Sequence, residues 1–251
     1  YPIYASAFYA LSVIPEDFHV WDYLDNSRTQ EAYNKIVNGD ADIIFVAQPS
    51  DGQKKRAEKS GVTLLYTPFA REAFVFIVNA DNPVNSLTEQ QVRDIFSGAI
   101  TNWRAVGGND QEIQTWQRPE DSGSQTVMQS QVMKNVRMIS PQETEVASMM
   151  EGMIKVVAEY RNTNNAIGYT FRYYATQMNA DKNIKLLAIN GIAPTAENIR
   201  NGKYPYIVDA FMVTRENMTS ETQKLVEWFL TPQGQSLEED VGYVPMYKTL
   251  H

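Results

Sequence analysis

Apolar positions along the chain fall into two rhythms, and their alternation sets the expected architecture. Ala32, Tyr33, Ile36 and Val37 lie on one face at helical spacing, so a helix is predicted over Thr29–Val37 with Gly39 as its stop. Asp42–Val46 is a short continuous apolar run of the kind a buried parallel strand leaves. A polar helix over Asp51–Ser60, ended by Gly61, and a strand over Val62–Tyr66 continue the alternation. This β-α-β rhythm predicts a parallel sheet with helices on its faces. Upstream, Pro2–Val13 is apolar at helical spacing.

Ala73–Val78 reads as a strong strand, broken by Asn82-Pro83. Ser86-Leu-Thr-Glu89 has the form of a capping box opening a helix through Ile95 and Phe96, with Gly98 as its left-handed stop. A loop over Asn102–Asp110 and a strand near Ile113–Gln117 follow. Helices are predicted near Gln125–Met133 and Val146–Tyr160. Strands are predicted at Ala166–Thr170, Ile184–Ile189 and Ile207–Val213. The end is helical: Glu221–Leu230 with Leu225, Val226, Phe229 and Leu230 inward, then Thr231-Pro232 as an N-cap with proline in the first turn. No repeat, low-complexity tract or long linker divides the chain, so two lobes would be joined by short connections or by strands.

Length and composition narrow the classes. The 251 residues, 43% apolar and 21% charged, suit one large or two modest globular domains. Lys and Arg total 22 against 30 Asp and Glu, and they are scattered, so no basic stripe is present to follow a nucleic acid. The acidic balance also disfavours docking on anionic lipid, but it does not exclude a small anion held by local donors. There is no cysteine, which rules out disulfides, thiolate metal sites and a cysteine nucleophile. Apolar runs are strand-sized, so no membrane span is expected. No signal peptide is seen, and the chain opens inside an apolar segment at Tyr1-Pro2-Ile3-Tyr4, so residues upstream are expected.

Candidate chemistry concentrates between the strand ending near Gln117 and the helix beginning near Gln125. Arg118-Pro-Glu-Asp-Ser122-Gly123-Ser124 supplies what an oxyanion needs. Gly123 lets an anion approach the backbone, and the free N–H groups and dipole of the helix start favour its charge. Ser122 and Ser124 add hydroxyls, and Arg118 offers a planar fork for paired charge-assisted bonds. The plain alternative is a surface turn with a serine cap and a solvated arginine. Thr29, at the start of its helix, is a second candidate donor, with an ordinary N-cap as the alternative. Arg118 and Ser122 are expected to contribute little to stability. Enzyme chemistry is poorly supplied: the histidines are His19 and His251, without a triad partner motif, and no metal-binding or nucleotide loop is present. Met149, Met150 and Met153 lie at helical spacing and read as core.

Longer stretches carry a family likeness. Ile95-Phe-Ser-Gly98-Ala-Ile100-Thr-Asn-Trp103-Arg-Ala-Val-Gly107-Gly108, followed by Arg118-x-x-x-Ser122-Gly123-Ser124, resembles the phosphate-binding proteins of phosphate ABC transporters, which have the type II periplasmic-binding-protein fold. Glu72-Ala-Phe-Val-Phe-Ile-Val-Asn79, Asn165-Ala-Ile-Gly-Tyr169, Pro232-Gln-Gly234 and Gly242-Tyr-Val-Pro245 are similar to that family in place and order. The resemblance implies two α/β lobes joined by two strand crossovers, near Phe74–Asn79 and Tyr206–Val213, with the ligand in the cleft. Residues 1–76 with 207–251 would form one lobe and 77–206 the other. It assigns Arg118, Ser122, Gly123, Ser124 and Thr29 to the ligand, with no cofactor, metal or catalysis. It implies a monomer outside the cytoplasm, periplasmic or at the cell surface on a lipid anchor, closing on phosphate and docking on a membrane permease.

Two departures qualify the likeness. The family opens with a strand and a Gly/Ser/Thr loop, and this chain starts just after them, so the first lobe would lack a central strand and part of its binding shell. Many members also carry an Asp after the second strand that accepts a proton from phosphate, and here the position reads Ala47. An unpaired carboxylate rejects fully ionised sulfate, so its loss leaves sulfate or another tetrahedral oxyanion as an alternative ligand. A surface sensor or adhesin without a transport role is a further alternative. A hydrolase using Ser122 or Ser124 would lack a base.

Overall fold

The computed structural model describes residues 24–25, 27–120, 122–134, 136–141, 150–159, 165–178 and 180–250. The expected helix over Pro2–Val13, His19, the start and end of the helix over Val146–Tyr160, Met149 and His251 lie outside these residues. The element order opens with α1 (Thr29–Asn38), β1 (Ile43–Val46), α2 (Asp51–Lys59), β2 (Leu64–Asn79), β3 (Ser86–Leu87) and α3 (Glu89–Ser97). It continues with β4 (Gln114–Thr115), α4 (Gly123–Val127), α5 (Met150–Glu159), β5 (Ala166–Phe171), β6 (Ile184–Leu186) and β7 (Ala188–Ile189). Last come α6 (Ala196–Arg200), β8 (Ile207–Arg215), α7 (Ser220–Phe229), α8 (Pro232–Asp240) and β9 (Val244–Pro245).

The chain divides into two compact units. One runs to Arg71 and resumes at Asp209, and the other is Glu72–Val208. Both β2 and β8 therefore pass from one unit into the other. In the first unit β1 pairs antiparallel with β8, from Ile43 opposite Thr214 to Val46 opposite Phe211. β8 neighbours β2, and β9 pairs antiparallel with β2 at Ala70 and Arg71. The apolar face of α1, Ala32, Tyr33, Ile36 and Val37, packs with Ile44, Ala57 and Val213. Gly39 ends α1 at φ 90°, a left-handed position that glycine takes without steric cost. Phe45, Phe69 and Phe229 form an edge-to-face cluster at centroid distances of 5.2–5.8 Å.

In the second unit β2 pairs antiparallel with β5, from Phe74 opposite Phe171 to Val78 opposite Ile167. β6 pairs antiparallel with β2 over Ile77–Asn79. β4 runs parallel to β5, and β3 runs parallel to β7. α5 lies against β5: a Cβ on Gly168 would meet Met153 Sδ at 2.3 Å, so a side chain there would have to push Met153 aside. Phe76, Phe96 and Tyr169 bring their rings to within 5.6–6.5 Å of one another at the centre of this unit.

The fold changes several expectations. Mostly antiparallel pairing replaces the expected parallel sheet among the described residues. A strand reads as a continuous apolar run because it is buried, whichever way its neighbour runs, so the pattern could not report direction. The strands read at Val62–Tyr66 and Ala73–Val78 are one strand. Pro68 does not break it, because its fixed φ suits extended backbone. The capping box of α3 is Thr88 with Gln91, and Ser86-Leu87 is strand instead. The run 184–189 breaks at Leu187, whose N–H donates to Phe76 O at 2.9 Å before Ala188 turns to β3. Leu225 is exposed, and α7 turns Thr222, Val226 and Phe229 inward.

Glu72 is the first residue of the second unit and is buried at 4% exposure. Its two carboxylate oxygens accept the N–H groups of Ala73 at 2.7 Å and Tyr173 at 2.8 Å. Burial nevertheless pushes its pKa from the ordinary 4.5 up to about 7, against those bonds and the charge of Arg172. The folded state thus binds more protons than the unfolded state between these values. Glu72's contribution to stability is complete below the lower value and is lost as pH rises through the upper one. The drop in urea midpoint between about pH 5 and about pH 8 should be smaller in Glu72→Gln than in the wild type. An equal drop in both proteins would show that Glu72 does not titrate in this window.

Candidate functional site

The residues singled out at 118–124 form one junction, built on β4 and β5. Gln114 N–H donates to Asn165 O at 3.0 Å and Trp116 N–H to Ile167 O at 2.9 Å, so the segment entering the junction is held to β5. Gln117 Nε2 donates to Ile139 O at 2.9 Å, and Ile139 N–H donates to Phe96 O at 2.9 Å. The stretch Trp103-Arg-Ala-Val-Gly107-Gly108 upstream serves the same frame. Trp103 is buried and its indole N–H donates to Asn165 O at 2.9 Å, next to β5.

Ser122 caps α4. Its Oγ accepts the N–H of Gln125 at 3.2 Å and its carbonyl accepts the N–H of Thr126 at 2.9 Å. The N–H groups of Gly123 and Ser124 precede these and have no acceptor within the helix. Gly123 and Ser124 are buried, Ser124 at 2% exposure, and the Ser124 hydroxyl has no hydrogen-bond partner among the described residues. A buried hydroxyl without a partner is costly, and it identifies this helix start as a place that a polar group would satisfy. α4 continues into a wider π-type helix over Met128–Met133. The hydroxyls of Thr126 and Ser130 donate back to the carbonyls of Ser122 and Thr126, bonds that loosen a helix.

Arg118 is half-buried at the mouth of the same turn. Its main-chain N–H donates to Tyr169 Oη at 3.1 Å and lies 3.4 Å from Gln125 Oε1. Tyr169 Oη in turn donates to Gln125 Oε1. Burial pushes the Tyr169 hydroxyl well above its ordinary pKa, and the Arg118 amide and charge oppose this only in part. Tyr169 and Gln125 carry no role in the sequence reading. A tyrosine inside the apolar strand 166–170 was the available signal, since a buried phenol needs a partner.

Four of the five predicted site residues, Arg118, Ser122, Gly123 and Ser124, therefore come together. The serine cap of the plain alternative is real; Glu120 is exposed and Arg118, Pro119 and Ser122 are half-buried, while Gly123 and Ser124 at the helix start are buried. Thr29 belongs to the first unit and is the first helical residue of α1, with Arg28 at the N-cap. It is therefore not the N-cap that the plain alternative made it. The next helix start, α2, is tied to α1 by Gln53 Nε2, which donates to Gln30 Oε1 at 3.0 Å. Tyr33 Oη donates to Ala47 O at 3.2 Å, so Ala47 offers a carbonyl already in use and no carboxylate. Among the described residues no group of three or more His, Asp or Glu could hold a metal ion, and no helix is long and apolar enough to cross a membrane.

Two units joined by strands, with a buried helix start and an arginine in one of them, have the architecture of the type II periplasmic-binding-protein fold. Residues 13–233 match the family described as the PBP superfamily domain, and the chain belongs to that superfamily, one of binding proteins rather than enzymes. The chain is 28% identical over 170 residues to the phosphate-binding protein PstS of Bacillus subtilis, covering 67% of this chain and 53% of that protein. It is 26% identical over 184 residues to PstS of Borreliella burgdorferi, covering 71% of this chain and 64% of that protein. It thus spans a little over half to about two thirds of the length of these relatives. Among solved structures, a Clostridium perfringens protein with bound phosphate aligns at a TM-score of 0.69 and 24% identity, covering 86% of this chain and 84% of that one. An ABC-type phosphate transport receptor from Vibrio cholerae aligns at 0.65 and 24% identity, covering 86% and 84%. Both structural likenesses speak to the fold.

The cap geometry corrects the expectation that Ser122 contributes little to stability. Ser122→Ala should lower stability by about 1 kcal/mol, because the Gln125 N–H loses its acceptor at the buried end of α4. Urea unfolding of the variant measures this, and an unchanged midpoint would mean the cap is not formed in solution.

Proposed function

We propose that this chain is the solute-binding part of an ABC importer that takes up inorganic phosphate, and that it delivers the ion to a membrane permease without catalysing a reaction on it. The observation that carries the reading is the buried start of α4. The N–H groups of Gly123 and Ser124 and the unpartnered Ser124 hydroxyl lie in one turn with Arg118. Such a turn binds an anion by directed donors, a helix dipole and one permanent charge. The names of the relatives supply the choice of phosphate among tetrahedral oxyanions. The protein acts outside the cytoplasm. Ala47 brings no carboxylate to reject a fully ionised anion, so sulfate is the competitor that matters.

Charge-assisted hydrogen bonds contribute roughly 1.5–3 kcal/mol each, so Arg118→Ala should weaken phosphate binding at least about tenfold. Arg118→Lys should recover part of the loss, because a lysine is a point charge without the planar fork. Ser122→Ala should cost less than Arg118→Ala, since the neighbouring N–H groups remain. Calorimetric titration with phosphate, repeated with sulfate as competitor, tests this. Unaltered phosphate affinity in Arg118→Ala would move the site elsewhere, and displacement of phosphate by equimolar sulfate would change the ligand assigned.

A further inference from the structure

We propose that Tyr169 is a positioning residue for the oxyanion site, fixing the Arg118 main chain to the N-terminal turn of α4; this role rests on the phosphate reading above. The phenol is suited to the task because its ring is packed in the core. Tyr169 is fully buried on β5, opposite Phe76 of β2, with ring centroids 5.4 Å from Phe74 and 5.6 Å from Phe96. Its oxygen therefore occupies a place set by the core of the unit and not by the loop.

Both ends of the binding segment are tied to that oxygen. At one end the Arg118 N–H donates to it at 3.1 Å. At the other the phenol donates to Oε1 of Gln125, whose own N–H is held by Ser122 Oγ at 3.2 Å. The segment from Arg118 to Gln125 is thus a closed loop, and it contains all four candidate ligand residues of this unit. Burial keeps the phenol protonated, so it remains a donor to Gln125 at physiological pH. Without the hydroxyl, the Arg118 N–H is left with the longer approach to Gln125 Oε1, at 3.4 Å, and Gln125 loses the donor that orients it. The donors of the loop would then have to be ordered at the moment of binding, at a cost in affinity. Tyr169 does this without touching the ligand.

The test compares the full-length wild type with Tyr169→Phe, which keeps the ring, and Gln125→Met, which keeps the volume but removes the amide acceptor. Each is titrated with phosphate and followed by amide hydrogen exchange without ligand. In the wild type the Arg118 amide should exchange as slowly as those of β5, although it lies in a loop. In Tyr169→Phe the phosphate Kd should rise about fivefold and the Arg118 amide should exchange about tenfold faster, while the amides of β2 keep their protection. Gln125→Met should move both quantities in the same direction. A purely structural hydroxyl would accelerate exchange throughout the unit and leave the phosphate Kd unchanged, and that pattern overturns the role. Fast exchange of Arg118 in the wild type overturns it even if Tyr169→Phe does not fold. Failure of the wild type to bind phosphate overturns the functional reading, whereas unchanged affinity in Tyr169→Phe beside a binding wild type overturns only the positioning role of Tyr169.

Discussion

From Phe69 to Val78, β2 is almost wholly buried, and a buried strand must have its polar backbone met along its length. β8 and β9 answer this in the first unit, β5 and β6 in the second. The same strand also supplies the aromatic side chains on which each unit packs, Phe69 in one and Phe74 and Phe76 in the other. One continuous strand in two cores makes the connection between the units short and made of regular structure, so a long flexible linker is not needed. Glu72 and Asp209 sit where β2 and β8 change units, and burial raises the pKa of each carboxyl.

The candidate site depends on this strand through one intermediate. β5 pairs with β2, and the register that sets Tyr169 opposite Phe76 also places its hydroxyl under the Arg118 turn. β4, parallel to β5, delivers the chain to that turn. Three layers of constraint, β2, β5 and the 118–125 loop, thus stand behind the candidate donors: backbone N–H groups, serine hydroxyls and the Arg118 guanidinium. On the proposed reading, geometry and one permanent charge would select a small anion at this site.

Much of this was legible in the chain. The helix over Thr29–Val37, the stops at Gly39 and Gly98 and the proline-started α8 follow from periodicity and from end chemistry that acts within a few residues. The 118–124 turn was legible for the same reason, since serine, glycine and arginine before a helix act locally. Pairing direction was not, because a buried strand looks alike beside a parallel or an antiparallel neighbour. Leu225 misled because a single apolar side chain at a helical position does not say which face a neighbour covers; Thr222 is the buried one. The role of Tyr169 was hidden by distance: its partners lie 44 and 51 residues away along the chain. Ser86-Leu-Thr-Glu89 failed by local ambiguity, as two overlapping segments offered a capping box and only Thr88 with Gln91 closes one.

An oxyanion held by the first-turn N–H groups of α4 would shift their amide resonances. Proton–nitrogen correlation spectra of the protein titrated with phosphate test it most directly. The amide protons of Gly123 and Ser124 should move downfield together along one saturating curve, while those of α6, Ala196–Arg200, stay in place. Saturable binding that leaves the Gly123 and Ser124 amides unmoved would contradict the account and locate the anion elsewhere.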